Sequence, residues 1–175
     1  MQHLNNTPAS TLYWIQPRWG KPEFELRSND ELFCTLRWST YSVWNPISVI
    51  SADGQWTLIS QWPRTVRIIS SDYDVALSES GWPWLTRIVE FANGRRFHWR
   101  RNFWQTQCTF SGEGTDNLLL FKAARIWPFK MKVRVDLAQR VKDLPEASLL
   151  AALGLYLLFL VWFANQGLVK GKQCP

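Results

Sequence analysis

The sequence predicts a mostly β protein, one antiparallel β domain followed by a single apolar C-terminal helix. Three observations carry this. Short segments of period-two alternation recur from Leu12 to Val135, with turn residues every eight to twelve positions. The chain holds 12 Trp and 10 Phe, residues that suit a pleated, half-buried surface. From Ala147 to Gln166 there is no charged residue at all.

Taken in order, residues 1–11 read as a polar, flexible arm, and 12–175 as a single domain without internal repeat or linker. Leu32, Cys34, Leu36 and Trp38 fall on one face of a strand, with Phe33, Thr35 and Arg37 on the other. Asp53-Gly54 separates Ser48–Ser51 from Trp56–Trp62 and marks a hairpin. Asn93-Gly94 joins Thr86–Phe91 to Arg95–Arg101, as a type I′ turn with positive φ at both central residues. Ser71-Asp72 and the run from Ser111 to Gly114 punctuate two further connections. In the last strand Met131, Val133 and Val135 point one way, and Lys130, Lys132 and Arg134 the other. The strand count is about eleven or twelve. Pro17, Pro22, Pro46, Pro63, Pro83 and Pro128 all fall between segments, where a missing N–H costs no ladder bond.

Pro145 and Glu146 suit the first turn of a helix over about 146–166, and Gly167 with Lys170 and Lys172 suits its end. A helix apolar on all sides is buried in protein or in lipid. Its length matches the roughly 30 Å of a bilayer core, so a tail-anchored membrane protein with a cytoplasmic β interaction domain is one reading. The other places it inside the sheet. A barrel of that many strands is too wide for its own side chains to fill, and the small flank Ala147, Ala151, Ala152 and Gly154 suits close packing against a wall.

The serial strands from Leu12 to Val135, the basic alternating strand Lys130–Val135, and Leu144-Pro145-Glu146-Ala147 leading into Leu149–Phe163 resemble the tubby C-terminal-like superfamily. That group includes tubby, the phospholipid scramblases and the LURP-one-related proteins. The resemblance covers nearly the whole chain and rests on architecture. It implies a closed antiparallel barrel of about twelve strands around a hydrophobic central α-helix, and a lipid- or partner-binding role. The acidic calcium loop that scramblases carry before this helix is not matched, because Asp136 to Glu146 also holds Arg140 and Lys142. Lys130, Lys132 and Arg134 have the two-residue spacing of tubby's phosphoinositide-binding basic strand.

The net charge of +6 favours an anionic partner: a phospholipid surface first, nucleic acid less so, or an acidic protein. The candidate ligands for an anionic headgroup or phosphate are two basic rows, Arg96, His98 and Arg100, and Lys130, Lys132 and Arg134. Each also reads as an ordinary solvated strand face. Arg95 and Arg101 read as snorkelling at the ends of their strand. Trp82-Pro83-Trp84 and Trp127-Pro128-Phe129 are candidates for exposed aromatic loops or for plugs of the barrel ends.

No nucleophile elbow, P-loop or dinucleotide fingerprint is present, and the expectation is a non-enzymatic binding module without cofactor. Two histidines and three scattered cysteines supply no zinc spacing. Asp72-Tyr73-Asp74 lacks the rest of a calcium loop and reads as a turn. Cys34, Cys108 and Cys174 read as free thiols, and the first residues lack the pattern of a signal peptide. The expected location is the cytoplasm, peripheral at the inner face of the membrane.

Overall fold

A computed structural model describes residues 1–8, 11–39, 45–61, 65–70, 73–80, 86–102, 107–112, 117–125 and 131–165; of these, 5, 73–80, 124–125 and 163–165 are described as backbone. Twelve strands run β1 (Thr11–Ile15), β2 (Glu23–Ser28), β3 (Glu31–Trp38), β4 (Ile47–Ser51), β5 (Gly54–Gln61), β6 (Thr65–Ser70), β7 (Tyr73–Ser80), β8 (Thr86–Phe91), β9 (Arg96–Arg101), β10 (Gln107–Ser111), β11 (Asn117–Arg125) and β12 (Lys132–Leu137). They form one antiparallel sheet, followed by a single α-helix, α1 (Ala147–Asn165). Each strand pairs with its sequence neighbours. In addition β1 pairs with β12, Leu12 opposite Val135 and Trp14 opposite Val133, which brings the two ends of the sheet together.

The alternation expected from the sequence sorts the side chains. Leu12 and Trp14, Phe24 and Leu26, Val49, Leu58, Val66 and Ile68, Phe97 and Trp99, and Val133 and Val135 are buried, with their neighbours part-exposed or exposed. On β3 the pattern breaks, because Phe33 and Thr35 are buried as well. The β2–β3 register shifts between Leu26 and Arg27, and the N-terminal segment lies against this end of β3, with Gln2 N donating to Leu32 O (2.9 Å).

From Ala147 to Val161 every side chain of α1 is buried. Tertiary contacts join the helix to β3, β4, β10 and β11, and so cover it from several directions with protein. Phe159 packs on Trp38 (ring centroids 4.8 Å, edge-on) and on Phe24 (5.0 Å). Gly154 is where the wall comes closest: a Cβ there would stand 2.2 Å from Cζ of Phe121. Among the described residues, no helix is long and apolar enough to cross a membrane.

Antiparallel pairing of sequence neighbours puts alternate connections at opposite ends of the sheet. One end, here called proximal, carries the β2–β3, β4–β5, β8–β9 and β10–β11 connections and the start of α1. Two acids receive the helix there, where its N-terminal dipole favours negative charge. Asp53 accepts from Ser148 Oγ and meets His3 Nδ1. Glu146, itself buried, accepts from Arg95 Nη1 (2.9 Å) and Asn93 Nδ2 (3.0 Å). Arg95 is thus a clamp on the helix start.

Three expectations need correction. The first residues do not form a loose arm, since Leu4, in a 3-10 turn over Leu4–Asn6, is fully buried and His3 is held by Asp53. The β8–β9 connection is not a type I′ turn. Among the non-glycine residues described, Asn29 alone has positive φ, so at this turn only Gly94 does (+82°). Phe91 N donates to Arg95 O and Gly94 N to Phe91 O, both at 2.9 Å, giving a three-residue loop whose last residue is left-handed. The type I′ reading fails because the loop holds three residues, 92–94, where a type I′ turn holds two; Asn93 Oδ1 accepts from Arg95 N (3.1 Å). The third concerns Tyr73 and Asp74, which open β7 and do not sit in a turn.

Candidate functional site

The two basic rows lie on the same outer face of the sheet, with β10 and β11 between them. At about 4.8 Å per strand, β9 and β12 are roughly 14 Å apart. Ladder partners run Arg100–Thr109–Leu120–Asp136, so the position across from Arg100 on β12 is an acid.

Within each row much of the charge is answered. Arg96, exposed, pairs with Glu90 (3.1 Å). Arg134 Nε donates to Asp136 Oδ1 (2.7 Å) and Lys122 Nζ to Oδ2 (3.2 Å). Lys132 Nζ lies 4.3 Å from the centroid of the Tyr13 ring. His98 is half-buried, and Arg100 is exposed with no ion pair among the described residues. Lys130 lies outside the described residues, as do Trp82-Pro83-Trp84, Trp127-Pro128-Phe129 and Cys174. The outer rows are therefore a mixed-charge face with one isolated guanidinium, not a concentrated cationic patch.

Asp136 deserves its own chemistry, because it ties the seam of the sheet. Besides Arg134 and Lys122 it accepts from Thr11 Oγ1 of β1 (3.0 Å), so one carboxylate bridges β1, β11 and β12. Burial pushes its carboxyl up, but the hydrogen bonds from Arg134, Thr11 and Lys122 outweigh that and hold it below its ordinary value. A depressed carboxyl contributes stability that is complete above its unfolded value, about 3.9, and is lost as pH falls through the lower folded value. Urea midpoints are expected to fall as pH drops below about 5, and Asp136→Asn to be less stable at neutral pH with a flatter acid limb. An unaltered acid limb in that variant would locate the sensitivity in another carboxyl.

A second polar group was not singled out in the sequence as a site. Arg87, inward on β8, is only 5% exposed. Its ladder partner on β9 is Trp99, and Arg101 lies two positions further along the same face. Burial pushes the Arg87 guanidinium down to about 10; the nearby Tyr156 phenol opposes that shift, and Arg101 adds to it. Burial likewise lowers Arg101. Its Nε and Nη1 are buried without a hydrogen-bond partner. Burial raises the Tyr156 phenol, against the opposing effects of the adjacent Ser60 hydroxyl and the Arg87 charge. The alternation of Arg87 with Val89 and Phe91 was the available signal, since it puts an arginine on the core face.

Burial pushes the thiols of Cys34 and Cys108 well up, and both are free. Among the described residues no group of three or more His, Cys, Asp or Glu is arranged to hold a metal ion.

The connections opposite the start of α1, at what is here called the distal end, differ sharply from the proximal ones in charge. Among the described residues of these connections (16–22, 39, 45–46, 102 and 131) there is no Asp or Glu, while Arg18 and Lys21 are present. Of the described ones, Arg18, Trp19 and Lys21 are exposed, Trp19 at 72%. The described residues of the proximal connections include four acids, Asp30, Asp53, Asp143 and Glu146.

Comparison with protein-family models, with curated proteins and with solved structures gives no match.

Proposed function

We propose that the chain is a closed, tubby-like barrel with α1 as its permanent core, a non-enzymatic module that docks on an anionic phospholipid surface through its distal end. The pairing of β1 with both β2 and β12, and the burial of α1 on all sides, support the barrel reading over the tail-anchored one. A helix whose side chains already fill the sheet has no face left for lipid.

The observation that carries the membrane reading is the segregation of charge between the two sets of connections. The described distal residues are free of acids and expose Arg18, Trp19 and Lys21, which suits a bilayer interface, where amphipathic rings settle at the headgroup level and each basic residue near an anionic surface contributes about 1 kcal/mol. Nucleic acid would also attract the charge. On the β9 and β12 strand faces Arg96 and Arg134 are paired with Glu90 and Asp136, which leaves those rows a weaker candidate for either partner.

Sedimentation of the full chain with vesicles tests this. Binding is expected to vesicles containing phosphatidylserine and not to pure phosphatidylcholine, falling as salt is raised. Arg18→Glu with Lys21→Glu is expected to weaken it by about tenfold or more. Absence of phosphatidylserine-dependent binding overturns the reading. Loss of binding on reversing Arg96 and Arg100, with Arg18 and Lys21 indifferent, would move the interface to the strand face.

A further inference from the structure

We infer that the β1–β2 connection is a preformed wedge that recognises the bilayer interface itself, by seating the Trp19 ring among the headgroups, and is not a socket for a single headgroup. The inference rests on the docking reading above and names the chemistry of the membrane that the distal end takes.

Several constraints hold this connection in shape. Pro17 has a fixed φ. Lys21 N donates to Arg18 O (3.3 Å), closing a four-residue turn with Trp19 and Gly20 in its middle positions. Gly20, third in that turn, has a φ of +76°, which glycine adopts without strain. Gln16, buried just past the end of β1, donates from Nε2 to Lys21 O (2.8 Å) and bridges the base of the loop. Directly beyond it Trp38 N donates to Pro22 O (2.9 Å), which fastens the returning chain to β3. A loop tied in this way has little freedom left to lose on docking.

The turn presents an aromatic ring between two cations. Trp19 is 72% exposed, more than any other large hydrophobic residue described. Arg18 before it and Lys21 after Gly20 are exposed as well. An indole has a large apolar area and one polar N–H, a combination satisfied where hydrocarbon meets headgroups. Cations beside it then lie at the depth of the anionic headgroups. The tip has no wall: a Cβ placed on Gly20 would meet nothing within 4 Å. A cleft at the opposite end, lined by Thr7, Pro8, Ser28, Asn29, Asp30 and Glu31, holds two acids and does not suit an anionic headgroup. Asp30, Asp53, Asp143 and Glu146 belong to connections of that same proximal end, so seating Trp19 in the bilayer keeps them away from its charge.

The test is sedimentation of the full chain with vesicles of phosphatidylcholine and phosphatidylserine, with the melting midpoint read in parallel. Trp19→Ala is expected to weaken binding by about tenfold, at low and high salt alike, and to leave the midpoint unchanged. Arg18→Glu with Lys21→Glu should instead flatten the salt dependence. Trp19→Phe, which keeps a ring, should bind within about threefold of the parent chain. On vesicles, the emission by which the parent exceeds Trp19→Phe should move to the blue and be quenched by lipids brominated near the headgroup. Soluble glycerophosphoserine is expected not to compete.

Trp19→Ala binding as tightly as the parent overturns the inference and leaves docking by cations standing. Competition by glycerophosphoserine overturns it too, because that reveals a headgroup socket. Displacement of vesicles by single-stranded DNA, lost in Trp19→Ala, makes the indole a base-stacking ring and has the same consequence. Weaker binding together with a lower melting midpoint makes Trp19 a structural part of the turn, which also overturns it. If the parent shows no phosphatidylserine-dependent binding, the docking reading and this inference fall together.

Discussion

A chain ending before Leu149 is expected to show no cooperative unfolding transition and to be recovered aggregated or unfolded. The reason lies in what the inward faces of the strands touch. Leu149, Leu150, Leu153, Leu155, Leu157 and Leu160 are each at most 2% exposed, and Tyr156 is fully buried between them. Burying side chains of this size contributes about 1.5–3 kcal/mol each. A whole domain is stable by only about 5–15 kcal/mol, so removing this set exceeds the margin. Leu155→Asp applies the same logic at one residue: a carboxylate at this fully buried position must stay desolvated or break the packing. Far-ultraviolet dichroism and urea titration of the two chains check the expectation. A soluble truncated chain with a sharp urea transition and native-like tryptophan emission would mean that the sheet closes on a core of its own.

The second large effect is expected at Gly154. In an isolated helix, replacing glycine by alanine stabilises by roughly 1 kcal/mol. Here the new Cβ would fall 2.2 Å from Cζ and 2.6 Å from Cε2 of Phe121. Phe121 is fully buried and meets Phe110 edge-on at 6.3 Å, so its ring has little space to retreat into. Overpacking of this kind costs about 1–3 kcal/mol, which outweighs the propensity gain. Gly154→Ala is therefore expected to lower the melting midpoint by several degrees, at about 2–4 °C per kcal/mol for a chain of this size. Gly154→Leu should approach loss of fold. Combining Gly154→Ala with Phe121→Leu should recover part of the loss, a coupling that a double-mutant cycle reads directly. A higher midpoint in Gly154→Ala alone would show that the ring swings aside without cost.

Much of this architecture was legible in the residues. Alternation located the strands, the uncharged run located α1 to within a residue or two, and the outward direction of Arg96, His98, Arg100, Lys132 and Arg134 followed from parity. Parity fails where tertiary neighbours intervene. Phe33 and Thr35 alternate with core residues and are nevertheless buried, on a strand whose start meets the N-terminal segment and whose register with β2 shifts. Leu4 reads as part of a polar arm, but burial of one leucine and the His3–Asp53 contact seat that arm.

The candidate site was less legible. Each basic row is visible as a spacing, but whether a cation is free depends on an acid from elsewhere, Glu90 for Arg96 and Asp136 for Arg134. Arg101 reads as the end of an alternating strand. Only the ladder with β8 sets it beside Arg87, and only the passage of α1 brings Tyr156 to Arg87.

The sequence by itself determined which faces are apolar, where the chain turns, and that one helix must be hidden on all sides, because these follow from local periodicity and the aversion of apolar surface to water. Tertiary structure alone decided which strands are neighbours, that β1 meets β12, that the described acids of the connections gather at the start of α1, and that Arg87 is buried beside the Tyr156 phenol. Those depend on contacts between residues far apart in the chain, on which a period of two carries no information.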